Sequence, residues 1–266
     1  MPSRGMGGHA RRRRARRRHR DWADGLGVDA LLAILRRLDH ADVLRSAQHV
    51  CRSWRRVARD EPTLWRRITM RGHERTERWL NRGGGGGAAI EAVRRSAGKC
   101  EAFCGEYAGD NRFLIYLSEQ APCLKSLRLI SCNHVTDLGI SDAVKQFPLL
   151  EELELSLCAN VGSRELYEFV GEVCPKLKHF RLRRRDHFNG ERRRGKMDAR
   201  GIASMHGLRS LQLLNSDLNN TDLEAILDNC PNLEFLDIRH CFKINMVGTL
   251  HLKCARIKTV YYEASS

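Results

Sequence analysis

Cysteine is the residue of this 266-residue chain best suited to bind a metal or to form disulfides, and the chain has ten. Six of them recur at two fixed phases of an internal repeat: Cys132, Cys158 and Cys241 at one phase, and Cys174, Cys230 and Cys254 at the other. Free cysteine packs as a small apolar side chain. The recurrence therefore predicts buried structural thiols.

Neither a metal site nor a catalytic site is predicted. Cys100 and Cys104 have no His or Cys partner at the spacing of a zinc finger or zinc ribbon. Glycine-rich phosphate loops, nucleophile elbows and His-Glu-x-x-His are absent from the sequence. The closely spaced Glu152 and Glu154 follow strand alternation, which places both on one exposed face. We therefore expect a protein that is not an enzyme and has no cofactor.

Five segments share the pattern Leu-x-x-Leu-x-Leu, with Phe or Ile at some positions. They begin at Leu124, Leu150, Leu177, Leu208 and Leu233, at separations of 26, 27, 31 and 25 residues. This near-fixed period is typical of a leucine-rich-repeat solenoid, in which stacked repeats bury faces that a single repeat cannot bury alone. Weaker repeats begin at Cys100 and Ile257. We expect an α/β fold of about seven repeats, preceded by a small all-helical module.

The residues between the leucines should face the concave side of the solenoid, where a partner would lie. In a parallel stack Glu154 would sit between Arg128 and Arg181, either as an internal charge ladder or as part of a surface that recognises a substrate. The cluster of Arg181, Arg183 and Arg184 favours an acidic or phosphorylated target. The candidate substrate-binding residues are Arg128, Glu152, Glu154, His179, Arg181, Arg183, Gln212, Phe235, Asp237 and Arg239.

Residues 21–70 follow a helical period instead. Leu31, Ile34, Leu35 and Leu38 form one stripe of a helix, with Asp29 as its expected N-terminal cap. A second apolar set continues from Val43 to Trp65. The pattern predicts a compact helical module that is too small to be comfortably stable alone.

This segment resembles the F-box motif. The resemblance is carried in order by Leu26, the helix stripe, Asp42-Val43-Leu44, Val50-Cys51-Arg52-Ser53-Trp54 and Pro62-Thr63-Leu64-Trp65. Together with cysteine-ending repeats, it resembles the plant F-box/leucine-rich-repeat family over roughly residues 21–266. The resemblance implies a substrate-recognition subunit of a Skp-cullin-F-box ubiquitin ligase, whose F-box docks on the Skp adaptor beside the cullin scaffold and whose repeats capture a protein for degradation.

The resemblance also implies the adaptor-binding residues. They are Leu26, Leu31, Ile34, Leu35, Leu38, Val43, Leu44, Val50 and Trp54. One position departs from the family pattern, because Leu26-Gly27 stands where the family has Leu-Pro. Glycine at the first helical position is less pre-organised than proline, so we expect weaker adaptor binding.

Charge is distributed unevenly along the chain. The net charge is +15, and residues 1–20 contain nine arginines and no acidic residue. Such an arm suits nuclear import or non-specific contact with nucleic-acid phosphates, which leaves a second interpretation open: a leucine-rich-repeat scaffold or nucleic-acid-associated nuclear protein without a ligase role. No stretch approaches the ~20 apolar residues of a membrane span. We expect a soluble protein of the nucleus, the cytoplasm or both.

The expected domains are a disordered arm at 1–20, the F-box at 21–70, a linker with a short helix at 71–99 and the solenoid at 100–266. The linker contains the run Gly83–Gly87, which is either a hinge or a tolerated surface loop. The 31-residue repeat contains a basic insertion from Arg183 to Arg194. Insertions in solenoids often take part in binding, but this one also fits a solvated loop.

Overall fold

One parallel sheet organises the protein. The computed structural model describes residues 26–81, 87–184 and 199–263. Neighbouring strands pair in chain order along the whole sheet, as stacked repeats require. The strands are β1 (Arg67–Met70), β2 (Ala102–Glu106), β3 (Ser126–Ile130), β4 (Glu152–Ser156), β5 (His179–Arg183), β6 (Ser210–Leu214), β7 (Phe235–Asp237) and β8 (Thr259–Tyr261).

The sheet has eight strands where about seven repeats were expected. The additional strand is β1, whose Ile68 pairs with Phe103 of β2. It lies within the segment predicted as the F-box. Its pattern, Trp65-x-x-Ile68-x-Met70, matches Leu-x-x-Leu-x-Leu with tryptophan in the first position and Ile and Met in the other two. The solenoid therefore begins inside the segment that resembles an F-box.

Helices fill the connections between strands. Three return helices end two residues before a proline, because proline cannot continue a helix. They are Asn111–Gln120 before Pro122, Arg164–Val173 before Pro175 and Asn220–Asn229 before Pro231. Between β5 and β6 the described connection is a 3₁₀ turn, Ala199–Ser204. The α-helices are α1 (Val28–Leu35), α2 (His40–Arg45), α3 (Arg52–Asp60), α4 (Glu77–Leu80), α5 (Ala88–Arg95), α6 (Asn111–Gln120), α7 (Asp137–Val144), α8 (Arg164–Val173), α9 (Asn220–Asn229) and α10 (Thr249–Cys254). None of the described helices is long and apolar enough to cross a membrane.

The start of α1 differs from expectation. Gly27 is the N-cap, and it makes no side-chain capping bond. Asp29 lies in the first helical turn, where a carboxylate still interacts favourably with the helix dipole. The expected cap at Asp29 is therefore wrong by two positions, and Gly27 stands just before the helix instead of at its first residue.

The recurrent cysteines are buried, as their phase predicted. The three cysteines that follow strands donate hydrogen bonds from their thiols to carbonyl oxygens of the preceding repeat. Cys132 donates to Gly105 at 3.6 Å, Cys158 to Leu129 at 3.5 Å and Cys241 to Leu213 at 3.0 Å. In these three repeats the cysteine thus bonds its repeat to the one before it.

The helical module and the repeats share one hydrophobic core. Arg95 of α5 reaches across to the module, donating to the carbonyl oxygen of Ala58 at 3.2 Å and to Gln48 at 3.0 Å. Its guanidinium lies 5.3 Å from the ring centroid of Trp65. The glycine run falls between α4 and α5, largely outside the described residues. Since α5 packs directly on the module, a hinge at that run is not needed to join the two parts.

Candidate functional site

The helical module exposes apolar side chains that its own core does not cover. Val28, Ile34, Leu38 and Val50 are 37–53% exposed, and Leu26 and Trp54 are half-buried. We call these six the F-box apolar face. Exposed large apolar side chains in one small module are typical of a protein-binding surface.

The remaining four predicted adaptor-binding residues lie in the core. Leu31, Leu35, Val43 and Leu44 are at most 6% exposed. We therefore reassign them to packing, because a partner cannot reach them without unfolding the module. Val28 belongs to the exposed set but was not among the predicted residues, since the apolar period identifies a helix stripe but does not separate its buried centre from its exposed margin.

Basic side chains cover the outer side of α3. Arg52, Arg55, Arg56 and Arg59 are exposed, while Val57 on the other side is buried. Only Arg59 among them has an ion pair within the described residues, with Asp60 at 2.8 Å. Residues 28–71 contain ten arginines against five acidic residues, a net charge of +5. This charge favours an acidic partner.

The second surface is the face of the sheet opposite the helices, which we call the open face. Its register is the predicted one: Glu154 lies between Arg128 and Arg181. Arg128 Nε donates to Glu154 Oε2 at 2.6 Å, and Arg181 Nε lies 3.5 Å from Oε1. Ser156 also donates to Oε1, at 2.7 Å.

Glu154 is consequently buried, at 3% exposure, and the expectation of an exposed carboxylate there was wrong. Burial would lower the pKa of Arg128, but the hydrogen bond and charge of Glu154 raise it overall, which keeps the guanidinium protonated. Glu154 therefore acts as the centre of an internal charge ladder and is not free to contact a ligand.

Asp237 and Arg239 form a second ion pair, between a buried carboxylate and an exposed guanidinium. Arg239 donates to Asp237 through Nε at 2.9 Å and through Nη2 at 2.7 Å, and its guanidinium lies 5.3 Å from the ring centroid of Tyr261. Asp237 is buried. Arg183 is exposed at the end of β5, next to the basic insertion, most of which lies outside the described residues.

Two depressions on the open face bring together most of the predicted substrate-binding residues. The larger has a volume of about 660 Å³ and the smaller about 220 Å³, and they share His179, Ser210 and Gln212. Seven predicted residues line them: Arg128, Glu152, Glu154, His179, Arg181, Gln212 and Phe235. Arg183, Asp237 and Arg239 do not.

Seven lining residues were not among those predicted, and two of them, Leu153 and Phe180, are buried core residues of their strands. Ser210 is on the predicted face by strand phase, and the other four stand immediately before strands: Glu151, Lys178, Arg209 and Glu234. Their signal in the sequence was the position before each strand, which carries a charge in repeat after repeat. Within the described residues no group of three or more His, Cys, Asp or Glu side chains is placed to hold a metal ion.

Known proteins are similar to this chain over its helical module and over most of its length. Residues 28–71 match the F-box-like family. F-box protein SKIP19 of Arabidopsis thaliana is 41% identical over 241 residues, covering 88% of this chain and 74% of that protein. Putative F-box/LRR-repeat protein 9 of the same plant is 34% identical, covering 87% of this chain and 92% of that protein.

Putative F-box/LRR-repeat protein 23 of Arabidopsis thaliana is 40% identical over 90% of this chain but 52% of its own length. The chain thus spans about half of that relative. The solved yeast complex of Rad7 and Elc1 aligns with a TM-score of 0.39 and 12% identity, over 86% of this chain and 59% of that one, which is too distant to carry an argument. The helical module, the stacked repeats and the relatives together place this chain in the plant F-box/leucine-rich-repeat family.

Proposed function

We propose that this chain is a substrate receptor of a Skp-cullin-F-box ubiquitin ligase. The F-box apolar face binds the Skp adaptor, and the open face of the repeats captures a protein substrate. The observation that carries the proposal is the exposure of Ile34, Leu38 and Val50 on a module that packs directly onto the repeats.

Such a receptor contributes by positioning and needs no catalytic group of its own. Holding a substrate beside a ubiquitin donor raises its effective concentration. The continuous core supports this role, because a module held firmly on the solenoid fixes the direction in which the open face presents a substrate. The exposed arginines of α3 favour an adaptor surface that is acidic and a binding that weakens with salt.

Adaptor pulldown with a matched pair of variants tests the proposal. Ile34→Lys and Val50→Lys place a charge in the F-box apolar face, and we expect each to weaken Skp adaptor binding by at least about tenfold. Leu138→Lys makes the same kind of change on α7, where Leu138 is 78% exposed, and should bind like the wild type. Wild-type chain that fails to bind the adaptor, or equal loss in all three variants, would count against the proposal.

The alternative proposal is a leucine-rich-repeat scaffold or nucleic-acid-associated nuclear protein, favoured by the nine arginines of residues 1–20. It requires binding to bulk DNA that falls steeply with salt and disappears when the arm is removed. Adaptor co-purification separates the two functions. Placement in the nucleus, the cytoplasm or both is likewise a proposal, checked by a reporter fused to the arm.

A further inference from the structure

The residues immediately before the eight strands form a row of charged side chains along the sheet, which we call the charge row. Backbone hydrogen bonds of 2.8–2.9 Å join each of its first six residues to the next. The members, in order from β1 to β8, are Arg66, Glu101, Lys125, Glu151, Lys178, Arg209, Glu234 and Lys258. Every position in the row is charged.

The sign alternates along the charge row and fails at one step, where Lys178 is followed by Arg209. Three of the alternating neighbours form close ion pairs: Arg66 with Glu101 at 2.6 Å, Lys178 with Glu151 at 2.9 Å and Lys258 with Glu234 at 2.6 Å. Like charges on adjacent strands are unfavourable. The step from Lys178 to Arg209 therefore leaves positive charge that the row itself does not neutralise.

Arg209 has the weakest ion pair of the described members that form one. Its Nη1 lies 3.7 Å from Glu234 Oε1, while the other oxygen of Glu234 accepts from Lys258 at 2.6 Å. Hydrogen bonds from lysine lower the pKa of Glu151 and of Glu234, so both carboxylates are ionised at neutral pH. Among the described residues, an anion that reaches the Arg209 guanidinium competes with this long contact to Glu234.

The break in alternation borders the larger depression of the open face. Lys178 and Arg209 both line it, next to His179, Ser210 and Gln212, which supply further hydrogen-bond donors. Phe235 forms an apolar wall, and its ring centroid is 5.7 Å from that of Tyr261. Cations, neutral donors and an aromatic wall thus meet in one place.

We propose that Lys178 and Arg209 bind an anionic side chain, a carboxylate or a phosphate, of an extended peptide in the substrate, with an apolar neighbour of that side chain against Phe235. The proposal rests on the proposed function, since the peptide belongs to the captured protein. Charge-assisted hydrogen bonds from lysine and arginine suit either anion. Glu151 and Glu234 flank the two cations and repel a polyanion, which favours a peptide with one anionic group over nucleic acid.

This site differs from the cluster of Arg181, Arg183 and Arg184, for which the sequence also favoured an acidic or phosphorylated target. Arg181 Nε lies 3.5 Å from the buried carboxylate of Glu154, whereas Lys178 and Arg209 are like charges on adjacent strands of the charge row. The two assignments differ in the residues whose loss should matter, so a charge-neutralising variant separates them.

The test is a titration of the full chain, at constant ionic strength, with inorganic phosphate and separately with acetate, followed by amide chemical shifts. We expect saturable shifts at Lys178, His179 and Arg209, and an affinity about tenfold lower in Arg209→Gln. Lys125→Gln is the matched control, because it removes one charge from the same row where the alternation is intact, and it should bind like the wild type. Saturation by phosphate alone indicates a phosphorylated peptide, and saturation by both anions an acidic one.

Three results would overturn the inference: no saturable shift with either anion, equal affinity in Arg209→Gln, or an equal loss in Lys125→Gln. A single-stranded oligonucleotide that displaces phosphate from these residues at lower concentration would assign the site to nucleic acid and overturn the peptide assignment. Adaptor pulldown with Arg209→Gln separates the two proposals. If the wild-type chain binds the anion but not the adaptor, the proposed function is contradicted and the anion site is not. If it binds the adaptor but not the anion, the anion site is contradicted and the proposed function is not.

Discussion

His40 joins the F-box to the first strand through both nitrogens of one buried ring. Nε2 lies 2.9 Å from the carbonyl oxygen of Leu64, and Nδ1 accepts from the backbone N–H of Thr69 at 3.2 Å. Because Nδ1 accepts, the neutral ring carries its proton on Nε2 and donates it to Leu64. Burial lowers the pKa of His40, opposed by these contacts and by Asp39.

This lowered pKa predicts a pH dependence of stability. As pH falls through about 6.5, the unfolded chain takes up a proton that folded His40 resists, so the free energy of unfolding should fall. His40→Gln should be less stable at neutral pH but should lose less on acidification. Denaturant unfolding between pH 7.5 and 5 measures both effects. His251→Gln, at an exposed site on α10, is the control, and a His40→Gln profile parallel to that of the wild type would refute the assignment.

Gly27 supplies a second prediction for a single residue. Its φ of −63° is one that proline adopts, and a Cβ added there meets no atom within 4 Å. Gly27→Pro should therefore raise the free energy of unfolding by about 0.4–1 kcal/mol, through the unfolded chain, and tighten adaptor binding. Gly248 has a φ of +60°, so Gly248→Pro should destabilise. Urea denaturation of both variants tests the prediction, which fails if Gly27→Pro is the less stable of the two.

At the scale of elements, hydrogen bonds near the N-termini of the return helices join α6 to α7 and α7 to α8. Thr136 caps α7 and also donates its backbone N–H to Asn111 of α6 at 3.0 Å. Asp137 of α7 accepts from the backbone N–H groups of Gly162 at 2.7 Å and Ser163 at 3.1 Å. Each contact spans 25 or 26 residues, so helix starts contribute to stacking as well as to helix formation.

Asp137→Ala should lower the free energy of unfolding by about 1–3 kcal/mol, because it leaves two backbone donors without their acceptor. Asp137→Asn should lie between, since its amide oxygen accepts only part of that pair. Asp142→Ala changes an exposed residue of the same helix that pairs with Lys145, and should stay within about 0.5 kcal/mol of the wild type. Thermal or urea unfolding gives the three values. Equal losses at Asp137 and Asp142 would remove the stacking role.

At the scale of the whole molecule, we expect Arg95 to help the F-box and the repeats unfold together, because its contacts join them. Its side chain is 9% exposed and also pairs with Glu91 at 2.6 Å. Losing its contacts with Ala58, Gln48 and Trp65 should cost about 2–4 kcal/mol in Arg95→Ala. It should also speed hydrogen exchange throughout the F-box.

Arg94→Ala is the matched control for this joint. Arg94 is the preceding residue of the same helix, is 60% exposed and shares Glu91 as its partner, so its loss should cost less than about 1 kcal/mol. Urea unfolding and hydrogen exchange of both variants decide the matter. If Arg94→Ala matched Arg95→Ala, the stability would come from Glu91 and not from the joint.

Most of the fold was predictable because the same residue types recur at the same positions of each repeat. The leucines gave the strand phase, the prolines the helix ends and the cysteines their burial. The repeat pattern did not predict the β1 strand, because Trp65 stands in place of the first leucine and the next repeat begins 35 residues later, at Cys100. For the site, the sequence predicted only which residues share one face of the sheet. Strand alternation correctly placed Arg128, Glu154 and Arg181 side by side. It also predicted an exposed Glu154 carboxylate, which is instead buried under hydrogen bonds from Arg128 and Ser156.

The amino-acid sequence by itself determined what one repeat or one helix encodes: an F-box stripe, parallel strands in fixed register, and the family to which they belong. Only the tertiary structure decided which F-box residues are exposed and that the Glu154 carboxylate is already bound by neighbouring side chains. It also decided that Lys178 and Arg209 lie next to each other at the edge of a depression. The reason is physical. Side-chain periodicity depends on backbone geometry within one element, whereas burial and charge balance depend on neighbours that the sheet brings together from 25 to 31 residues away.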